Sequence, residues 1–164
     1  MGPANVLILC TGNSARSILG EVLINQAGAA SGAFRGYSAG SRPRGEVNPD
    51  ALALLRELGY ATDGLRSKPW DEFSAPGAPV MDYVFTVCDA AAGETCPYWP
   101  GTPLQAHWGL PDPAAVEGSD AQRRDAFLAA YEILQRRVAR FAALPFAQLD
   151  EAALRRELQA IGRA

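Results

Sequence analysis

The sequence predicts an α/β fold in three layers: a mostly parallel, four-stranded open sheet with helices on both faces. Three observations carry this. Val6-Leu7-Ile8-Leu9-Cys10 is a short, continuous apolar run, the pattern of a strand buried on both faces of a parallel sheet. Strand-like runs recur at 34–39, 80–88 and 104–108, separated by segments with helical spacing. Such alternation favours right-handed crossovers and a parallel sheet.

Taken in order, Val6 to Cys10 is the first strand. Ser14 to about Gln26 has helical spacing, with Ile18, Leu19, Val22 and Leu23 available to face the sheet. Phe34 to Ala39, between Gly32 and Gly40, is the second strand. Asn48-Pro49 supplies a cap followed by proline in the first turn, opening a helix to Leu58 that Gly59 closes. Val80 to Cys88 and Leu104 to Trp108 are the third and fourth strands. Ser119 with Gln122 three positions on has the form of a capping box for a long amphipathic helix to about Ala143. After Pro145, Leu154, Leu158 and Ile161 are spaced for a short helix that packs. One domain is expected over 1–164, with 146–164 as a C-terminal helical extension.

The 164 residues are 48% hydrophobic, enough for a substantial core. A net charge of −3 argues against nonspecific nucleic-acid binding through a basic surface. The N-terminus lacks the basic start and apolar stretch of a signal peptide, and no apolar run approaches bilayer length. A cytoplasmic protein is expected, with no membrane and no nucleic acid among its partners. In that reducing compartment its three cysteines point to catalytic or redox use rather than to a disulfide framework.

The chemistry concentrates in Cys10-Thr11-Gly12-Asn13-Ser14-Ala15-Arg16-Ser17. A loop between a strand and a helix start can aim backbone N–H groups inward, and the helix adds its positive dipole end, so a tetrahedral oxyanion would be held above the thiol. Arg16 would clamp two of its oxygens. The same field should lower the pKa of Cys10. Ser17 could donate its hydroxyl to the sulfur, and Asn13 could brace the loop. A buried strand-end cysteine with a nearby surface arginine would have the same spacing. The preceding strand, Gly12, Asn13 and the Arg-Ser ending favour the cradle.

This stretch resembles the phosphate loop of the low-molecular-weight protein tyrosine phosphatases and of the arsenate reductases that share their fold. The resemblance runs from Val6 to about Leu144. It implies a general acid in an Asp-Pro downstream, met here as Asp112 in Pro111-Asp112-Pro113, where Pro113 biases the aspartate to extended backbone. Cys88 and Cys96 resemble, in kind and location, the redox cysteines of the arsenate reductases, and Gly93 with the alanines at 90–92 would let the segment bend to bring them together. Without the resemblance, one buried core thiol and one loop thiol would serve as well. Phosphotyrosine-specific members place aromatic residues after the Asp-Pro and often a cysteine before the loop arginine, whereas this chain has Ala114-Ala115 and Ala15. A small inorganic oxyanion suits that mouth.

The resemblance therefore implies reduction of arsenate to arsenite by a Cys10/Cys88/Cys96 relay, with Arg16 holding the oxyanion and Asp112 as acid. Thioredoxin, or glutaredoxin with glutathione, would regenerate it. The alternatives are a phosphatase working through phosphocysteine, which reductase members can retain as a residual activity, and a noncatalytic oxyanion-binding or redox-sensing protein. No cofactor is implied, and His107, the one histidine, has no cluster of metal-ligand spacing around it; it orders the strand before the acid loop. Trp70, Trp99 and Trp108 are packing residues. Some arsenate reductases hold potassium behind the loop near positions equivalent to Glu21 and Ser38; the sequence leaves open whether one binds here.

Overall fold

A computed structural model describes residues 2–88, 99 and 101–164. Its sheet has four parallel strands in the order β2-β1-β3-β4: β1 (Ala4–Leu9), β2 (Phe34–Ala39), β3 (Tyr83–Thr86) and β4 (Leu104–His107). The helices are α1 (Arg16–Ser31), α2 (Pro49–Glu57), the single turn α3 (Asp71–Ser74), α4 (Asp120–Ala142) and α5 (Glu151–Gly162).

Alternation along β1 sends its side chains into two cores. Val6 and Ile8 join α1, α2, α4 and α5 through Ile18, Leu54, Phe127, Phe141 and Leu158. Leu7 and Leu9 meet Phe73, Met81, Val84 and Trp99 on the other side. Both faces are thus covered, unequally among the described residues: four helices lie on one, and α3 with Trp99 on the other. Helix α1 is buried through Ile18, Leu19, Val22, Leu23 and Ile24 because it lies between the sheet and α4. No helix among the described residues is long and apolar enough to cross a membrane.

The strand ends are in register, Leu9 beside Ala39 and Thr86, and Thr86 beside His107. The loops leaving β1, β3 and β4 therefore emerge side by side at the carboxyl edge. The strand order reverses at β1, whose neighbours β2 and β3 follow it in sequence, and such switch points are where open α/β sheets hold ligands.

Candidate active site

The loop after β1 is built by turning its carbonyls outward. Thr11 O accepts from Arg42 N–H at 2.9 Å, Gly12 O from Arg44 N–H at 3.0 Å and Ser14 O from Asn48 N–H at 2.9 Å. Across a trans peptide the next N–H points the opposite way, so the amides of Gly12, Asn13 and Ala15 face the concave side. Asn13 makes the turn in left-handed backbone, φ 42°. Its amide braces the turn, accepting from Lys68 N–H at 2.9 Å and donating to Ser17 Oγ at 2.8 Å. Gly40 lets β2 approach: a Cβ there would lie 2.4 Å from Thr11 O and 2.6 Å from Cys10 O.

Two thiols stand at the floor. Cys10 and Cys88 are buried and interact side chain to side chain in the same cleft. Thr11 donates its N–H to Cys88 Sγ at 3.3 Å, and its hydroxyl lies 3.6 Å from the same sulfur. The Cys10 thiol is pushed up by the Cys88 hydrogen bond and then by burial, against the pull of Arg16 and of the Gly12 N–H. This corrects the expectation of a depressed Cys10 pKa: the loop field is present, but a neighbouring sulfur outweighs it. Cys88→Ala removes the largest raising influence, so the Cys10 thiolate fraction at pH 7 should rise. Alkylation by iodoacetamide, mapped to the Cys10 peptide, should quicken about ten-fold; an unchanged rate would mean that burial alone sets the reactivity.

Arg16 opens α1 from Ala15, which carries no side-chain cap. The expected start at Ser14 is moved because Ser14 stays in the loop, donating its hydroxyl to Glu46 O at 3.0 Å. The guanidinium crosses to the third loop, donating from one terminal nitrogen to Leu110 O at 2.9 Å and standing 3.7 Å from Asp112 Oδ2 with the other. Its buried Nε has no partner among the described residues. Asp112 is held in turn by Ala114 N–H, which donates to Oδ1 at 3.0 Å. Cys10, Thr11, Gly12, Asn13, Ser14, Ala15, Arg16, Cys88 and Asp112 all line one open cleft of about 490 Å³. Ser17 does not: it is buried beneath, its hydroxyl paired with Asn13 rather than with the sulfur as expected. Cys96 lies outside the described residues.

A thiol below inward amides and beside a partly unpartnered arginine can bind a tetrahedral oxyanion and attack its central atom. The low molecular weight phosphotyrosine protein phosphatase model matches residues 5–160. The chain belongs to that family. Within it, the chain is 33% identical over 142 residues to an arsenate reductase of Halalkalibacterium halodurans, covering 84% of this chain and 94% of that one. An arsenate reductase of Bacillus subtilis is 33% identical over 118 residues, covering 72% and 80%. Among solved structures, an arsenate reductase in a phosphate-binding state superposes with a TM-score of 0.64 at 26% identity, covering 85% of this chain and 97% of that one. The low molecular weight protein tyrosine phosphatase of T. tengcongensis has the same fold, TM-score 0.64 at 20% identity, over 83% and 95%.

Sequence reasoning missed three cations around this family loop. Lys68, buried, reaches Glu21 at 3.6 Å and donates to Arg66 O at 2.9 Å, and Glu21 in turn accepts from Ser38 Oγ at 2.5 Å. An ammonium thus stands beside the carboxylate behind the loop, where the resemblance raised a potassium ion. Burial lowers the Lys68 pKa, with Glu21 opposing. No spacing signal links residue 68 to residue 21; the Gly40–Pro69 bridge and the Lys68 N–H on Asn13 bring them together.

Arg42 and Arg44 are exposed on the cleft wall, and neither guanidinium has a partner among the described residues. Their backbone N–H groups are the ones that turn the loop carbonyls outward, so their position follows from the loop itself. In a chain of net charge −3 they make the mouth locally positive, and such a mouth concentrates anions in a salt-dependent way. The Arg42→Ala/Arg44→Ala pair should weaken inorganic phosphate binding about ten-fold at low salt and flatten its ionic-strength dependence, read by calorimetry. Unchanged affinity at low salt would remove both from recognition.

Proposed function

We propose that this chain reduces arsenate to arsenite, with a disulfide relay through Cys10, Cys88 and Cys96. The observation that carries the reading is Cys88, a second buried thiol that lines the same cleft as Cys10 and interacts with it. Hydrolysis has no use for it, whereas removing two electrons from thiols requires it. The arsenate reductase relatives support the same choice of substrate.

In the proposed sequence, Cys10 thiolate attacks arsenic held by the loop amides and Arg16, while Asp112 protonates the departing oxygen, which leaves as water. Cys88 thiolate then attacks Cys10 Sγ; the S–S bond forms as the S–As bond breaks, and that electron pair goes to arsenic, so As(V) leaves as As(III). Cys96 attacks Cys88 and frees Cys10, leaving Cys88–Cys96 for an external dithiol. Thioredoxin fits as that dithiol, with glutaredoxin and glutathione as the other candidates. That Cys10 and Cys88 line one cleft and interact supports the second step, since attack requires the sulfurs to be neighbours.

The deciding experiment is NADPH oxidation coupled through thioredoxin reductase and thioredoxin, with and without arsenate. Arsenate-dependent oxidation with stoichiometric arsenite is expected. Hydrolysis of p-nitrophenyl phosphate without arsenate-dependent oxidation under any of the three thiol systems would return the site to the phosphatase reading, which the shared loop and Asp112 also serve.

A further inference from the structure

We propose that Arg137 and the terminal helix α5 form a clamp that sets the position of the Asp112 loop, making Arg137 a positioning residue for the acid; this rests on the reading of Asp112 as the proton donor. Arg137 lies on α4 and is 6% exposed. One terminal nitrogen donates to Trp108 O at 2.6 Å and to Gly109 O at 3.1 Å, and the other donates to Ala164 O at 3.3 Å. No Asp or Glu pairs with it among the described residues, and its buried Nε has no partner among them. A buried charge whose acceptors are main-chain oxygens, with no acidic side chain beside it, costs stability compared with a well-packed apolar side chain, so packing alone does not account for it.

Its bonds fall on the segment that carries the acid. Trp108 and Gly109 lead directly into Leu110, whose carbonyl holds Arg16, and then to Asp112. The clamp is closed by α5. Trp108 donates its indole N–H to Leu158 O at 3.0 Å, and its ring stacks on Phe85 with centroids 3.9 Å apart. Gly162 presses on the end of β4 so closely that a Cβ would lie 2.2 Å from His107 O. The backbone from 107 to 110 is therefore gripped by Arg137 and α5 on one side and by Thr86 and Val87 carbonyls on the other, which accept from Trp108 N–H at 2.7 Å and Leu110 N–H at 3.3 Å. A displacement of about 1 Å in a catalytic group can cost about 10²-fold in rate, and the grip on this backbone opposes such a displacement.

The test measures single-turnover arsenite formation and inorganic phosphate affinity in Arg137→Met, Arg137→Lys, Asp112→Asn and the Asp112→Asn/Arg137→Met pair, with folding followed by circular dichroism. Arg137→Met should slow the chemical step about ten-fold or more, with phosphate affinity within two-fold of the parent. Arg137→Lys should recover part of the rate. In the Asp112→Asn background Arg137→Met should add less than two-fold, because the group it positions is gone. A folded Arg137→Met at the parental rate, effects that multiply in the pair, or an equal loss of phosphate affinity would each overturn the clamp. Should Arg137→Met fail to fold, Gly162→Ala, which forces α5 away from His107, replaces it in the same measurements: a slowed chemical step with phosphate affinity kept supports the clamp, and a parental rate overturns it. A parental rate in Asp112→Asn alone would sink the acid assignment and the clamp with it; a slow Asp112→Asn with multiplying effects would sink the clamp alone.

Discussion

Replacing Cys10 by serine should abolish arsenate reduction, by roughly 10⁴-fold or more, while the fold survives within about 1–2 kcal/mol. The change is nearly isosteric, and the group that replaces the thiol keeps its neighbours: the Gly12 N–H and Cys88 can hydrogen-bond a hydroxyl as they do the sulfur. What serine cannot supply is an anion. Cys10 itself is pushed upward by Cys88 and by burial, so its thiolate forms once that neighbour gives way; a serine hydroxyl is a far weaker acid than any thiol and has no such route. Denaturant melting should report a retained transition, and inorganic phosphate should still bind, since the amides of Gly12, Asn13 and Ala15 and the Arg16 guanidinium remain. Retained turnover in Cys10→Ser would remove the nucleophile from its assigned position and leave the cleft as an oxyanion site without chemistry.

The fold was largely legible because its signals are local. Phe34–Ala39 was bounded by glycines and is the observed β2. Asn48 caps α2 by accepting from Asp50 and Ala51 N–H, and Ser119 with Gln122 forms the full capping box of α4. The third strand came out shorter than its apolar run, Tyr83–Thr86 rather than 80–88, because pairing with β1 begins at Tyr83 opposite Val6, and the residues before it are spent on Asn5, which donates its side-chain amide to Val80 O and its N–H to Asp82. The loop motif likewise put Cys10 and Arg16, which line one cleft, within eight consecutive residues.

What stayed hidden depends on pairs far apart in sequence. The raised Cys10 pKa needs the sulfur of residue 88 beside it; a loop motif read alone contains the lowering influences and none of the raising ones. Lys68 reaches the back of the loop through the parallel bridge between Gly40 and Pro69 and through its own N–H on the Asn13 side chain. Nothing in the periodicity of α4 marks Arg137 as the arginine that turns inward to meet Trp108 O and Gly109 O.

The prediction that separates the two chemistries of this family is Cys88→Ser, which should reduce multiple-turnover arsenate reduction to background while leaving any p-nitrophenyl phosphate hydrolysis within a few-fold of the parent. Phosphoryl transfer needs Cys10, Arg16, the loop amides and an acid, all present without Cys88. Regenerating Cys10 after arsenic accepts its electron pair needs a second sulfur, and among the described residues Cys88 is the other thiol. Its place in the cleft beside Cys10 and the Thr11 N–H that holds it at 3.3 Å keep it poised for that attack. The substitution also replaces the sulfur that raises Cys10, so the first, thiolate-dependent step should be no slower and the block should fall after it. Mass mapping would then find Cys10 carrying arsenic or free, with no Cys10–Cys88 disulfide, whereas Cys96→Ser should accumulate that disulfide after one turnover. Parental arsenate reduction in both variants with thioredoxin would end the relay, and the phosphatase reading of the same loop would stand in its place.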